Sequence, residues 1–235
     1  MKINLKLTNG TSGSQSAKRL AVALSQALGY HVIRTMKTTQ RKQLFYGQGV
    51  DKITQYKFFK EKGLYAVEFT QSSVEAQQWL NDGSIVFGRK LLQSSCGKGI
   101  VVYESGDSVD SNPCPVYTLY RKKKREFRVH VFKEKVVAIV EKKRRSDWTG
   151  ERNPLIRNIA NGYVFCQNPV DLPEGIKELA IKAGAVVQSD FKGVDIGYNE
   201  KQDNLFIIEV NAAPGMEGSN INAYTNSIVS YLTGA

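Results

Sequence analysis

The sequence predicts a mixed protein of the α+β / α/β class, and three observations carry that reading. A strand, a helix and a second strand follow one another within the first 33 residues, the order of a small parallel β–α–β unit. Further along, apolar and polar residues alternate in paired runs joined by turn formers, the pattern of antiparallel hairpins. Between these runs lie segments with helical spacing and recognisable caps. The 235 residues can form one large domain or two or three small lobes.

Ile3, Leu5 and Leu7 mark a half-buried strand, and Asn9–Ser14 forms a loop rich in hydroxyls and backbone N–H groups. A helix over about Ser16–Leu28 places Leu20, Ala23, Leu24, Ala27 and Leu28 on one face and stops at Gly29. Tyr30–Ile33 opens the second strand. After the glycine-bearing loop Phe45–Val50, Asp51 caps a helix through about Lys62 with Ile53, Tyr56 and Phe59 inward. Leu64–Thr70 reads as a strand. Ser72 and Glu75 have capping-box spacing ahead of a short helix ending near Asp82–Gly83.

Ile85–Phe87 and Ile100–Tyr103 are strand cores separated by Gly88–Gly99, and the turn-rich Asp107–Pro115 is the expected linker. Val116–Tyr120 reads as a connecting strand. In Glu126–Phe132, Phe127, Val129 and Val131 face one way and Glu126, Arg128 and His130 the other. Lys133–Lys135 turns the chain into Val136–Val140. A polar loop at Ser146–Asn153 and a polar segment at Arg157–Gly162 precede Tyr163–Phe165. One helix, with Pro173 in its first turn, reaches about Val187. The last spans about Asn220–Leu232 and buries Ile221, Tyr224 and Ile228.

The stretch with most chemistry is Gly193–Gly215. Val194 and Ile196 alternate with Asp195, and Phe206, Ile208 and Val210 alternate with Glu209 and Asn211. A hairpin centred on Gln202 sets Asp195 opposite Glu209, whereas a register one residue off sends Asp195 to the other face. In the first register two carboxylates and an amide oxygen converge. Such like charges repel unless a cation lies between them, and all-oxygen ligands suit a hard ion such as Mg²⁺. A second reading pairs the same carboxylates with some of the chain's many basic residues. Gly97 and Gly99 permit a tight turn whose N–H groups cradle phosphate, with Arg89 or Lys90 at the strand end beside it; a plain hairpin turn fits the same residues.

The net charge of +11 calls for anionic company: nucleotide phosphates, nucleic acid or an acidic polypeptide. Much of it lies in Arg121–Arg125 and Lys142–Arg145, which flank one hairpin and are expected to meet. No apolar run approaches the ~20 residues of a membrane span. The N-terminus alternates like a strand and lacks the unbroken apolar core of a signal peptide. Cys96, Cys114 and Cys166 are far apart and odd in number, which favours a reducing, cytoplasmic compartment. His31 and His130 share no local pattern and suggest no zinc site.

Taken in order, GRKLLQSSCGKGIVV, EFRVHVF, RNIANG, GVDIG and EVNAAPG resemble the ATP-grasp superfamily. The likeness is greatest to short phage-encoded members and to glutamate ligases that modify ribosomal proteins, and it covers roughly residues 50–230. It implies a nucleotide clamped between two α+β lobes behind a small α/β pre-grasp domain. The expected divisions are residues 1–50 for the pre-grasp domain, 51–115 for the lid lobe and 116–235 for the lobe with the metal site.

By resemblance, Asp195, Glu209 and Asn211 match the magnesium ligands. Gly97, Lys98 and Gly99 cover the phosphates, with Arg89 (or Lys90 on a one-residue slip) as the basic phosphate-binding residue. Tyr117 and Thr118 belong to the hinge beside the adenine. Arg128 binds the acyl-phosphate or carboxylate side, and Asn158 matches an asparagine of the family's loop motif. The implied function is ATP-dependent carboxylate–amine ligation with Mg²⁺. Its partners are ATP, a carboxylate donor and an amine acceptor, a polypeptide or another acidic polymer among the candidates, in the cytoplasm (the host's, for a phage-encoded chain). A nucleotide- or nucleic-acid-binding module on the same fold, using the basic runs, is the alternative.

Overall fold

The computed structural model describes residues 2–93, 97–150, 153 and 155–234. Cys96, with the centre of the Gly88–Gly99 segment, and part of the 146–153 loop lie outside the described residues. Three sheets organise the chain. Strand β1 (Ile3–Leu7) lies between β2 (Ile33–Thr35) and β3 (Lys42–Tyr46), parallel to both. Helix α1 (Gln15–Leu28) makes the expected crossover, capped by the Ser14 hydroxyl and ended by Gly29 in the left-handed region.

Helix α2 (Lys52–Glu61) starts at the Asp51 cap, and α3 (Ser73–Asn81) at the Ser72 cap. The Glu75 carboxylate accepts from the Thr70 hydroxyl, not from the Ser72 backbone that a capping box would use. The second sheet is antiparallel and has the order β4-β7-β5-β6, with β4 (Phe69–Thr70), β5 (Val86–Arg89), β6 (Ile100–Tyr103) and β7 (Val116–Leu119). The third has the order β10-β9-β8-β11-β12. Its strands are β8 (Arg125–Phe132), β9 (Lys135–Arg144), β10 (Tyr163–Gln167), β11 (Phe191–Asn199) and β12 (Asn204–Asn211). Helices α4 (Ile176–Gly184) and α5 (Ser219–Thr233) complete the chain.

Several sequence expectations change for local reasons. Leu64–Thr70 is not one strand: Ala66 bridges in parallel to Ile207 of β12, and only Phe69–Thr70 joins the second sheet. Asp107–Pro115 is no free linker, since Val109 is fully buried and its N–H bonds to Gln77. Gly175, at positive φ, forces α4 to begin at Ile176, which leaves Pro173 ahead of the helix.

The cores also cut across the expected divisions. Ile3, Leu5, Leu20 and Leu24 share one core with Phe191, Tyr224 and Ile228, so the N-terminal unit is sealed by α5. Tyr56 and Phe59 of α2 share a core with Phe127, Val194 and Ile207 of the third sheet as well as with Val116 and Phe69 of the second. Strand β7 hydrogen bonds between β4 and β5, so a boundary at residue 115 would split the second sheet. We place that division between β7 and β8.

Strand β12 ends its sheet, and Gln55 of α2 closes its open edge. The Gln55 amide accepts from Val210 N (2.8 Å) and donates to Val210 O (3.0 Å), as a neighbouring strand would. On the adjoining face of β8, His130 is buried. The Tyr224 hydroxyl donates to Lys192 O (3.2 Å), which leaves its oxygen to accept from His130 Nδ1 (3.3 Å). The Nε2 lone pair then accepts from Asn220 Nδ2 (3.4 Å). Burial lowers the His130 pKa to about 3, and Arg128 pushes the same way.

Gln55→Leu strands a buried N–H and C=O of Val210, so it will lower unfolding stability by about 1–3 kcal/mol in urea titration. The unfolded chain binds a proton at His130 near pH 6.5 and the folded chain does not. His130 therefore subtracts stability as pH falls, by about 1–2 kcal/mol between pH 7 and pH 5. Urea midpoints at the two pH values will show this loss in the parent, and it will be smaller by that amount in His130→Gln.

Candidate active site

The antiparallel register of the third sheet brings charged side chains together, with a two-residue step between β9 and β8, where Arg128 lies opposite Val140 rather than Lys142. Phe165 on β10 lies opposite Lys142 on β9, Arg128 on β8 opposite Asp195 on β11, and Asp195 opposite Glu209 on β12. The chain thus adopts the register in which the two carboxylates adjoin. The Arg128 guanidinium grips Asp195 in a fork, Nε to Oδ1 at 2.7 Å and Nη2 to Oδ2 at 2.8 Å. Lys142 donates to Asp195 Oδ2 (3.0 Å) and to Glu126 Oε1 (2.5 Å), and Lys123 lies 3.4 Å from Glu126 Oε2. The Phe165 ring covers this end, 4.7 Å from the Arg128 guanidinium and 5.7 Å from the Lys142 ammonium.

At the other end Lys52, the first residue of α2, sets its ammonium 2.5 Å from Glu209 Oε2. Asn211 Nδ2 donates to Glu209 Oε1 (3.2 Å). The carboxylates are therefore paired with cations, as the second sequence reading held, and both remain on one face with the Asn211 amide. Burial alone would raise both acid pKa values. Arg128 and Lys142 instead hold Asp195 far below the carboxylate range, and Lys52 with Arg89 lowers Glu209.

Strict alternation fails in β12. The register shifts after Asp195, and Ile208 becomes the extra residue of a bulge. Ile207 turns into the core while Ile208, Glu209 and Asn211 stay half-buried. Gly193 is required by a close approach: a Cβ there would lie 2.9 Å from Pro214 Cβ and 3.4 Å from Arg128 Cδ.

Arg89 ends β5 with its side chain buried, while Lys90 is exposed. Arg89 Nε has no hydrogen-bond partner, and no carboxylate among the described residues is within salt-bridge distance of it. Burial lowers its pKa, but Tyr56 and Glu209 outweigh that and raise it. Gly97 and Gly99 both adopt positive φ, Lys98 between them is exposed, and Lys90 N donates to Gly99 O (2.8 Å). The space a Gly97 side chain would fill holds Asn158 Nδ2, 2.8 Å from the virtual Cβ, so this turn touches the 158–162 segment. Asn158 itself caps the turn at Ile159–Asn161 by accepting from Asn161 N.

Tyr117 offers a hinge no side-chain group. Its ring packs in the core of the second sheet and its hydroxyl accepts from Cys114 N (2.9 Å), so only its backbone is left for a ligand. Thr118 is buried too, donating to Phe87 O (3.4 Å). The two basic runs do meet, around a groove of about 510 Å³ lined by Lys124, Arg125, Lys142, Lys143 and Arg144. Their charges are largely spent at home. Arg121 pairs with Glu68, Lys124 with Glu200, Arg125 and Lys143 with Glu141, and Arg145 with Asp147.

Five residues of the site escape a reading of motifs: Lys52, Lys123, Glu126, Lys142 and Phe165. Lys52 did leave a trace, because a lysine in the first turn of a helix opposes the helix dipole. Around the cleft, five buried or nearly buried cations (Lys52, Arg89, Lys123, Arg128, Lys142) accompany three carboxylates (Glu126, Asp195, Glu209). Burial lowers the Lys123 pKa, and Arg157 and Lys142 push it further down against Glu126. An enclosed site with surplus positive charge is built for a polyanion.

No curated protein matches the sequence. Solved structures do match its fold. The ATP-grasp ligase PsnB, in complex with a minimal precursor, superposes with a TM-score of 0.69 at 10% identity over 98% of this chain and 99% of that one. D-alanine–D-alanine ligase from Bacillus anthracis gives a TM-score of 0.61 at 12% identity over 98% and 92%. A RimK-domain ATP-grasp protein from Sphaerobacter thermophilus gives 0.63 at 10% identity over 98% of each chain. The family model of the RimK-like ATP-grasp domain matches residues 89–231, more than half of the sequence and nearly all of the charged row. The chain belongs to the RimK-like ATP-grasp family.

Proposed function

We propose that the protein is an ATP-dependent carboxylate–amine ligase that works through an acylphosphate, with Mg-ATP between the second and third sheets. The observation that carries this reading is the buried surplus of two positive charges, which the roughly doubly negative Mg-nucleotide compensates. The donor set fits magnesium: two carboxylates from adjacent strands and an amide whose oxygen makes no hydrogen bond among the described residues. Among those residues no three His, Cys, Asp or Glu side chains cluster, so a softer, nitrogen- or sulfur-rich metal site is not favoured. A bound magnesium supplies neutralisation of the transferring phosphoryl group.

The chain's own groups do the rest. Arg89, with an unused buried donor, holds phosphate oxygens, and Lys52 reaches the same space. Arg128 holds the substrate carboxylate and then the acylphosphate, braced by the Phe165 ring. A carboxylate oxygen attacks the γ-phosphorus as the bond to ADP breaks. The amine then attacks the acyl carbon, inorganic phosphate leaves and the amine gives up a proton. No protein nucleophile is needed. Complexes of PsnB with a minimal precursor, Mg and ADP support both the nucleotide and a peptide substrate here. The free thiols Cys114 and Cys166 fit a cytoplasmic setting, and no helix among the described residues is long and apolar enough to cross a membrane. The internally paired basic runs give the nucleic-acid alternative little support.

Arg89→Met removes a buried charge that has no carboxylate partner. The circular-dichroism spectrum will hold, while affinity for a non-hydrolysable ATP analogue, read by calorimetry, falls about tenfold or more. Glu209→Gln will leave the circular-dichroism spectrum intact. It will lower ADP release, screened with amino acids and peptides, by about 10²-fold or more; unchanged release removes Glu209 from the site.

A further inference from the structure

We infer that Lys52 is the resident counter-ion of Glu209 and makes metal and nucleotide binding interdependent: the metal gains Glu209 only once a nucleotide phosphate has drawn the Lys52 ammonium away. The inference rests on the magnesium-ligase reading above and adds to it an order of events.

Each carboxylate oxygen of the proposed donor set is already engaged. Glu209 Oε2 holds the Lys52 ammonium at 2.5 Å, and Glu209 Oε1 accepts from Asn211 Nδ2. Asp195 Oδ1 accepts from Arg128 Nε, and Oδ2 from Arg128 Nη2 and Lys142 Nζ. A divalent ion arriving alone must displace these donors and would add its charge to a site that already holds five cations against three carboxylates. It therefore does not bind. A triphosphate reverses the balance.

Lys52 is suited to the exchange. Its ammonium is a point charge on a flexible four-carbon stem, whereas the planar fork of Arg128 is fixed by two bonds to one carboxylate. The backbone beneath Lys52 is held: Lys52 N donates to Leu92 O (3.3 Å), Asp51 caps the helix, and Gln55 one turn on is bonded to Val210. The side chain can swing between Glu209 and a phosphate without moving the helix. Linkage then requires reciprocity, nucleotide raising metal affinity by the same factor as metal raises nucleotide affinity.

The test uses Mn²⁺ as the probe, with free Mn²⁺ read by electron paramagnetic resonance on the full chain. Because the analogue itself chelates Mn²⁺, the parent protein is expected to leave Mn²⁺ free on its own and, with a non-hydrolysable ATP analogue, to hold more Mn²⁺ than the same analogue holds without protein. Lys52→Met keeps the length of the side chain and removes its charge. It is expected to bind Mn²⁺ without nucleotide at least about tenfold more tightly than the parent, while Lys52→Arg still excludes it. A purely structural lysine would weaken binding in both conditions instead. If Lys52→Met does not fold, Lys52→Gln, which also removes the charge, takes its place in the same titration. Mn²⁺ binding by the parent that ignores nucleotide, or no gain in a folded Lys52→Met, overturns the inference and leaves the magnesium site standing. No Mn²⁺ binding even with the analogue overturns the magnesium reading itself.

Discussion

The constraint on which the site depends is the cost of keeping charge away from water. Each buried ion carries a desolvation penalty of several kcal/mol that only close, well-directed partners offset. The cleft holds five cations and three carboxylates, and the pairs formed there are short and geometrically good: a forked Arg128–Asp195, Lys142 shared between Asp195 and Glu126, and Lys52 on Glu209. The carboxylates keep the neighbouring cations tolerable away from water. In the ligase proposed above, the same oxygens would also serve a metal.

What places these groups is the antiparallel ladder. Adjacent strands set opposed side chains about 5 Å apart, close enough for Arg128, Asp195 and Glu209 to adjoin across the sheet, to which helix α2 adds Lys52 and the loop before β8 adds Lys123. The bulge at Ile208 then rotates the end of β12, so that Glu209 and Asn211 stay at the cleft while Ile207 turns inward. Gln55 and the Ala66–Ile207 bridge cover what would be the open edge of that strand. The same short helix therefore supplies the brace for β12 and the counter-ion for its carboxylate.

Much of this was legible from residues alone, and the reasons are local. Asp195 and Glu209 were placed correctly because hairpin register follows from alternation and one polar turn, both contained in 23 residues. The caps at Asp51 and Ser72 were legible because a cap is a contact over three residues. The failures are non-local. Nothing within Leu64–Thr70 signals that half of it pairs with a strand some 140 residues later, nor does the sequence around Tyr117 say which face of β7 is core. Lys52 and Lys142 meet carboxylates 157 and 53 residues away. A charge run read in isolation looks like a solvated face; only the fold shows which of its members are spent on partners.

The two ends of the cleft differ in how they are tied, and the difference bears on how such a site admits and seals its substrates. Near Lys52 the lobes are bound by backbone hydrogen bonds: Val67 N to Ile207 O, Ile207 N to Tyr65 O, and Lys52 N to Leu92 O. Near Gly97 the contact shown is a close approach to the Asn158 side chain, made possible because Gly97 has no Cβ. The backbone ties at the Lys52 end hold α2 and β12 in fixed register with the segment after α2. In the ligase proposed above, an acylphosphate over Arg128 has to be kept from water until the amine arrives. Those ties keep the opposed carboxylates in place beside it, so the charged row is set before any substrate enters.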